Sequence, residues 1–179
     1  MATQMNLADH TFREILIERL GDPTEYRIER EDHVKLDLRD MKFRGWKLGE
    51  GEDGSGGNGV HEWTRGVVAT VYITEGGNLI TAIRRWSRLT DERDLAFADS
   101  HSDVDYAYEW FMVQLWGAKP EPKEYEDTWS ESEDEVRSER RSRAGDDQYR
   151  ATTVAIKHAW TQACLTHPAL AEADIEVIE

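Results

Sequence analysis

The middle of the chain holds two apolar segments separated by a short turn sequence. Residues 67–74 read VVATVYIT, residues 79–86 read LITAIRRW, and the tetrapeptide EGGN occupies residues 75–78. Because glycine adopts the positive φ that a tight turn requires, this arrangement predicts a β-hairpin. Side chains alternate across a strand, so we expect one face of the first strand to pack and the other to be half exposed. The packed face comprises Val67, Ala69, Val71 and Ile73.

Further strands are predicted on both sides of this hairpin. Apolar residues recur at every second position in several stretches of residues 25–48, which indicates two or three antiparallel strands. Residues 49–59 (GEGEDGSGGNG) contain few side chains that could pack, so we expect a flexible glycine-rich loop there. Another short strand is expected at residues 95–98. Together these segments predict an antiparallel sheet of five or six strands.

Helical periodicity is present in three other segments. Apolar residues between Phe12 and Leu20 have helical spacing, which predicts a short N-terminal helix. Residues 104–116 have the same periodicity, with Ser102 available as the N-cap. A last helix is predicted at residues 148–166, followed by a tail to residue 179. We therefore expect a single α+β domain over residues 1–179, with the sheet packed against the two longer helices.

Acidic residues greatly exceed basic ones. The chain has 37 Asp and Glu against 22 Lys and Arg, a formal net charge of −15. The excess is concentrated in residues 121–135, and we expect the charged segment 119–147 to be flexible and solvated. Such a surface repels nucleic-acid phosphates, so direct nucleic-acid binding is not expected. A basic protein partner is expected instead, bound by Glu121, Glu124, Glu126, Asp127, Glu131, Glu133, Asp134 and Glu135.

Three observations bear on the cellular compartment. The single cysteine, Cys164, cannot form an internal disulfide. The first 15 residues lack the basic and apolar regions of a signal peptide. No apolar run approaches the roughly 18 to 20 residues that a membrane span needs. We therefore expect a cytoplasmic protein.

The leading functional hypothesis is a non-catalytic interaction or regulatory protein of bacterial or phage origin. Its acidic surface would engage a basic partner, and in a narrower form its carboxylates would imitate the phosphates of a nucleic acid. No cofactor is expected, and the sequence leaves the oligomeric state open.

The alternative hypothesis is a small-ligand-binding protein or enzyme with an aromatic-lined pocket between sheet and helices. The arginines around Trp86 have the composition of an anion site, although pairing with nearby acids also explains them. His101, Asp103 and Asp105 are types that ligate metals, but capping of a helix N-terminus explains the acids without a metal. The candidate residues for the pocket or anion site are Tyr72, Arg84, Trp86, His101 and Tyr108, and Trp110 is a further residue expected to line the pocket.

Three segments resemble, in the same order, a bacterial family known by its C-terminal EXLDI motif. Residues 43–50 (FRGWKLGE) are similar to that family's Phe-x-Gly-x-x-Leu-Gly-Glu element, and residues 68–88 to its central hairpin. Residues 168–175 (PALAEADI) resemble its closing Pro-x-x-x-Glu-x-Leu-Asp-Ile, with Ala173 in place of the leucine. The family's N-terminal ribbon-helix-helix-like segment has no counterpart in this chain. Residues 121–143 of this chain have no counterpart in the family. The resemblance implies no particular activity, because the family is biochemically uncharacterised.

Overall fold

The computed structural model describes residues 11–20, 40–56, 63–90, 94–116 and 133–172. These residues form five strands, two α-helices and one 3-10 helix, so the predicted α+β class is confirmed. The strands are β1 (Arg13–Ile17), β2 (Met41–Ser55), β3 (Arg65–Thr74), β4 (Leu79–Ser87) and β5 (Leu95–His101). The helices are α1 (Val104–Trp116), α2 (Glu133–Thr166) and the 3-10 helix Pro168–Glu172. None of the helices in these ranges is both long and apolar enough to cross a membrane.

The sheet is an antiparallel meander that curls on itself. The strand order is β1-β2-β3-β4-β5, so each strand pairs with its neighbour in sequence. The chain just after β1 meets β5, because the Leu20 amide donates to the Ala96 carbonyl at 3.0 Å and the Ala96 amide donates back at 2.7 Å. Both ends of the meander are thereby brought together, and part of the inner face of the curl is withdrawn from solvent. Ile80 and Ala96 on this face are 2% and 5% exposed.

The hairpin predicted at residues 67–86 is present as β3 and β4. Gly77 has a φ of 85°, and the Thr74 amide donates to the Asn78 carbonyl at 2.8 Å, which closes the turn. The face predicted to pack is buried, since Val67 is 2% exposed and Ala69, Val71 and Ile73 are 0% exposed. Thr70, predicted on the half-exposed face, is also buried because the sheet curls around that side.

Helix α1 has the bounds predicted from its apolar periodicity. Ala107 and Phe111 are 0% exposed and belong to the core shared with the sheet and α2. The Asp103 carboxylate accepts the Asp105 amide at 2.8 Å, which caps an amide that has no partner within the helix. The cap is therefore Asp103, one residue after Ser102.

The glycine-rich segment differs from the loop predicted at residues 49–59. Strand β2 continues through Ser55, and Gly49 and Gly51 are buried beneath α2. A Cβ on Gly51 would clash with the carbonyl oxygen of Ala155 and lie 2.7 Å from the Ala159 amide nitrogen. A Cβ on Gly49 would likewise clash with the Ala159 carbonyl and lie 2.6 Å from the Ala163 nitrogen. The glycines thus permit the helix backbone to lie directly on the strand, a close approach that only glycine allows.

The spacing of small residues explains how strand and helix fit together. From Gly49 onward, every second residue of β2 points toward α2, a step of about 6.6 Å along the strand. Four residues of a helix advance by about 6 Å, so the two repeats nearly coincide. The next strand position on this face is Asp53, which forms an ion pair with Arg150 at 3.0 Å. The small residues of α2 that lie in this interface are Ala151, Ala155, Ala159 and Ala163.

Two other segments differ from the sequence prediction. Residues of the predicted N-terminal helix form β1 instead, with Ile15 opposite Phe43 in the β1–β2 register. A short isolated helix is only marginally stable in water. As a strand, the same segment forms backbone hydrogen bonds with β2. Helix α2 starts at Glu133 rather than residue 148, so part of the charged segment predicted to be flexible is helical. The strands predicted between residues 25 and 38 lie outside the described residues.

Candidate functional site

The residues predicted to line one pocket are placed on two faces of the sheet. Tyr72, Arg84 and Trp86 share the inner face of the curl, as the strand register shows. Tyr72 and Trp86 are far apart even there, since Trp86 pairs with Gly66, six residues and roughly 20 Å along β3 from Tyr72. His101 lies on the other face, opposite Leu79, and Tyr108 packs on Trp160 with ring centroids 5.1 Å apart. The five residues therefore do not form one site.

The arginine and tryptophan side chains of β4 have partners of their own. Arg84 donates to the Asp94 carboxylate at 2.9 Å, and the same carboxylate accepts the Ser87 amide at 3.1 Å. Trp86 covers Gly66, where a Cβ would clash with its indole ring, and Arg88 lies 5.6 Å from the ring centroid. These contacts are those of a strand with paired charges and an aromatic ring covering a glycine, and they account for the cluster without a bound anion.

His101 lies where β5 ends, close to the start of α1. Its Nε2 atom and the Thr81 hydroxyl are 2.8 Å apart and share a hydrogen bond. The imidazole also lies against Trp110, with ring centroids 6.0 Å apart. The side chain is 9% exposed, and burial lowers the pKa of His101, an effect that the nearby Asp99 carboxylate partly opposes. The imidazole is therefore neutral at neutral pH.

A surface depression lies between the end of β5 and the exposed side of α1. It has a volume of about 510 Å³ and is open to solvent. His101 is its buried member, and Trp110 is half buried. We call it the α1–β5 depression. It is lined by Asp99, Ser100, His101, Ser102, Tyr106, Glu109, Trp110 and Val113.

The charge of the α1–β5 depression is negative and is not compensated locally. Its lining contains two carboxylates, Asp99 and Glu109, and no lysine or arginine. Within the described part of the chain, neither carboxylate forms a salt bridge. Five acids elsewhere on that surface form ion pairs, whereas others, such as Glu52, do not. The pairs are Glu14 with Lys42, Glu75 with Arg44, Glu50 with Lys47, Asp94 with Arg84 and Asp53 with Arg150.

Helix α1 is held in place at its C-terminal end by a buried cation. Arg85, which is 7% exposed, donates from its guanidinium to the Gln114 carbonyl at 3.0 Å. The last carbonyls of a helix lack intrahelical partners and carry partial negative charge, which a cation stabilises. Arg85 is one of the arginines around Trp86 that were considered for an anion site. Its guanidinium is buried and binds the end of α1, so it is not a surface group.

The acidic residues predicted to bind a partner lie largely beyond the structural description. Glu121, Glu124, Glu126, Asp127 and Glu131 are outside the described residues. Glu133, Asp134 and Glu135 lie in the first turn of α2. Among the described residues, no group of three or more His, Cys, Asp or Glu is placed to hold a metal ion. His101, Asp103 and Asp105 therefore do not form a metal site.

The sequence pointed to His101 and Trp110 as pocket residues, but the other residues of the depression were missed. Tyr106, Glu109, Trp110 and Val113 have the spacing i, i+3, i+4 and i+7, which defines one side of a helix. That stripe was available in the sequence, beside the stronger stripe that packs in the core. Asp99 could not have been added from sequence, because it comes from a strand and only the fold brings it into the lining of the same depression as Glu109.

Comparison with protein-family models, with curated proteins and with solved structures returned no match to this chain. The likeness to the EXLDI family therefore stays a prediction from the three sequence segments.

Proposed function

We propose that this chain is a non-catalytic cytoplasmic interaction protein of bacterial or phage origin that binds a basic protein partner. The observation that carries the proposal is uncompensated negative charge at a defined place on the surface. The chain has a net charge of −15, and the carboxylates of the α1–β5 depression have no cationic partner in the described residues. Unpaired surface carboxylates attract a basic partner and accelerate its association.

The arrangement of the candidate pocket residues favours an interaction protein over an enzyme. Of the candidate residues for a pocket or anion site, Tyr72, Arg84 and Trp86 lie on one face of the sheet and His101 lies on the other. His101 shares its hydrogen bond with a threonine hydroxyl, whereas a histidine acting as general base is commonly oriented by a carboxylate. Its lowered pKa also makes it a weak base. A small ligand in the α1–β5 depression is the alternative, and the two hypotheses differ in the size of what binds.

Imitation of a nucleic acid is the narrower form of the proposal. Helix α2 begins at Glu133, within the acidic run, so the backbone of residues 133–135 has the spacing of a helix. A regular spacing suits imitation of phosphates better than a chain of variable conformation. This form predicts that the protein displaces duplex DNA from its basic partner at low salt, where charge attraction is strongest.

The test is affinity capture from the cells of origin, followed by reconstitution with the purified partner. Bait proteins would be the natural chain and a variant with Glu121, Glu124, Glu126, Asp127 and Glu131 changed to glutamine or asparagine. This variant keeps the chain length and the start of α2. We expect a basic protein that binds the natural chain directly and dissociates as salt is raised. Capture of only neutral or acidic proteins, or binding that is insensitive to salt, would contradict the proposal.

A further inference from the structure

The exposed side of α1 carries apolar surface beside acidic groups. Tyr106 is 67% exposed and Val113 is 44% exposed, although both belong to a helix whose other side is buried. They lie seven residues apart, with Glu109 and Trp110 between them on the same side of the helix. Large exposed apolar side chains grouped in this way are characteristic of interaction sites.

The acidic groups of the α1–β5 depression come from two different elements. Asp99 comes from β5 and Glu109 from α1, and both line the depression together with Tyr106 and Trp110. Asp103 and Asp105 add exposed negative charge at the start of the helix. A cation that enters the depression would meet carboxylates and the faces or edges of Tyr106 and Trp110. Aromatic rings and carboxylates together are the groups that bind guanidinium and ammonium ions.

We infer that the α1–β5 depression is the docking site for arginine or lysine side chains of a basic segment in a partner protein. Charge complementarity identifies the occupant, since the lining has two carboxylates and no cationic side chain. The aliphatic stem of arginine or lysine suits Val113 and the aromatic rings, while the charged end suits Asp99 and Glu109. This inference rests on the proposed function and names the place and the chemical group that the partner presents.

The experiment uses the full chain, labelled with ¹⁵N, and a short arginine-glycine repeat peptide. A second peptide with every arginine replaced by citrulline keeps the shape and removes the charge. We expect the arginine peptide to shift the Trp110 indole N–H signal and the backbone amides of Ser100 and Ser102. The citrulline peptide should leave these signals unchanged.

Matched variants locate the binding site. Glu109→Gln removes one charge from the depression, whereas Glu52→Gln removes one charge from an exposed position on β2. We expect Glu109→Gln to weaken peptide binding roughly threefold to fivefold, as for a partly exposed ion pair, and Glu52→Gln to weaken it less than twofold. Tyr106→Leu keeps apolar surface and removes the aromatic face. We expect this variant to weaken peptide binding roughly twofold relative to the natural chain.

The outcomes separate this inference from the proposed function. Equal losses for Glu109→Gln and Glu52→Gln, or peptide shifts confined to residues outside the depression, would overturn the docking site and leave the acidic interaction protein intact. Absence of peptide binding would overturn the site as well, whereas the proposed function depends on the separate capture of a basic partner. If spermidine produced the same shifts with equal affinity, the occupant would be a free polyamine and the inference of a protein segment would be wrong.

Discussion

The two helices contact the same sheet in different ways. Helix α2 lies directly on β2, where Gly49 and Gly51 leave no side chain between the two backbones. Helix α1 packs through large side chains such as Phe111 and leaves the α1–β5 depression beside it. The distance between packed elements depends on the side chains at their contact, so glycine and alanine close the first interface while aromatic residues space the second. The first interface has no room for a ligand, and the second has an open acidic edge.

The largest effect is expected from adding a single methyl group to the interface between α2 and β2, which we call the closed interface. Gly51→Ala puts a Cβ against the backbone of α2, which cannot move away as a flexible side chain could. We expect loss of cooperative unfolding, or destabilisation of about 3 kcal/mol or more, which is the upper range for overpacked cores. Urea denaturation followed by circular dichroism would measure it.

Gly76→Ala is the matched control for this substitution. The nearest atom to a Cβ at Gly76 is the Thr74 hydroxyl oxygen at 3.9 Å, an ordinary contact. We expect a change within about 0.5 kcal/mol, as for surface substitutions in general. Similar effects of the two alanines would show that α2 does not lie on β2 as described.

The second prediction compares the two sides of α1. Phe111 is 0% exposed and contacts Trp160, with ring centroids 6.2 Å apart. Phe111→Ala should therefore destabilise the protein by about 3 to 5 kcal/mol. Tyr106→Ala, on the exposed side of the same helix, should cost less than about 1 kcal/mol and leave the unfolding transition cooperative. A large loss for Tyr106→Ala would mean that its side of α1 is covered within the folded chain.

A smaller effect is expected from the ion pair at the end of the closed interface. Arg150 contacts the Asp53 carboxylate at 3.0 Å and the Gly54 carbonyl at 3.2 Å, and its side chain is 56% exposed. A double-mutant cycle with Asp53→Asn and Arg150→Gln should give a coupling energy of about 1 kcal/mol or less. A much larger coupling would indicate that charge, and not the fit of glycine to alanine, holds α2 on β2.

The last prediction concerns the contribution of His101 to the pH dependence of stability. Its effect on stability is expected only at acidic pH. Because the folded state lowers the pKa of His101, the unfolded chain binds the proton more readily. Stability from this source is complete above the unfolded pKa of about 6.5 and declines as the pH falls below it. His101→Gln should flatten this part of the stability profile.

His158→Gln provides the control, since His158 is exposed on α2. In the His158→Gln variant, thermal stability should still decrease as the pH falls. An unchanged decline in His101→Gln would show that the imidazole next to the depression is not the group responsible. Thermal melts of the three proteins between pH 5 and 8 would decide the question, within the range where histidine titrates.

Some elements could be predicted from sequence because their signals are local. The hairpin of β3 and β4 combines alternating apolar residues with the glycine turn at Gly77. Helix α1 combines an apolar stripe with a capping carboxylate at Asp103. In both cases the residues that define the element are neighbours in the chain, so local pattern and tertiary packing agree.

Other elements could not be predicted, because their residues are explained by distant parts of the chain. The glycines of residues 49–55 have the composition of a loop, but the segment pairs with β3 as a strand and lies beneath the alanines of α2. The N-terminal segment has helical spacing, and only its pairing with β2 makes it β1. Local composition in these segments is compatible with more than one conformation, and the tertiary contacts select one.

The sequence by itself determined the α+β class, the central hairpin, the core helix and the strongly negative charge. Tertiary structure alone decided where that charge is left unpaired. Asp99 belongs to β5 and Glu109 to α1, and both line the same depression only because of how the fold places α1 against the sheet, with Arg85 bound to its last turn. Net charge is a sum over residues and can be counted from a sequence, whereas a binding site depends on which charges the fold brings together and which it neutralises.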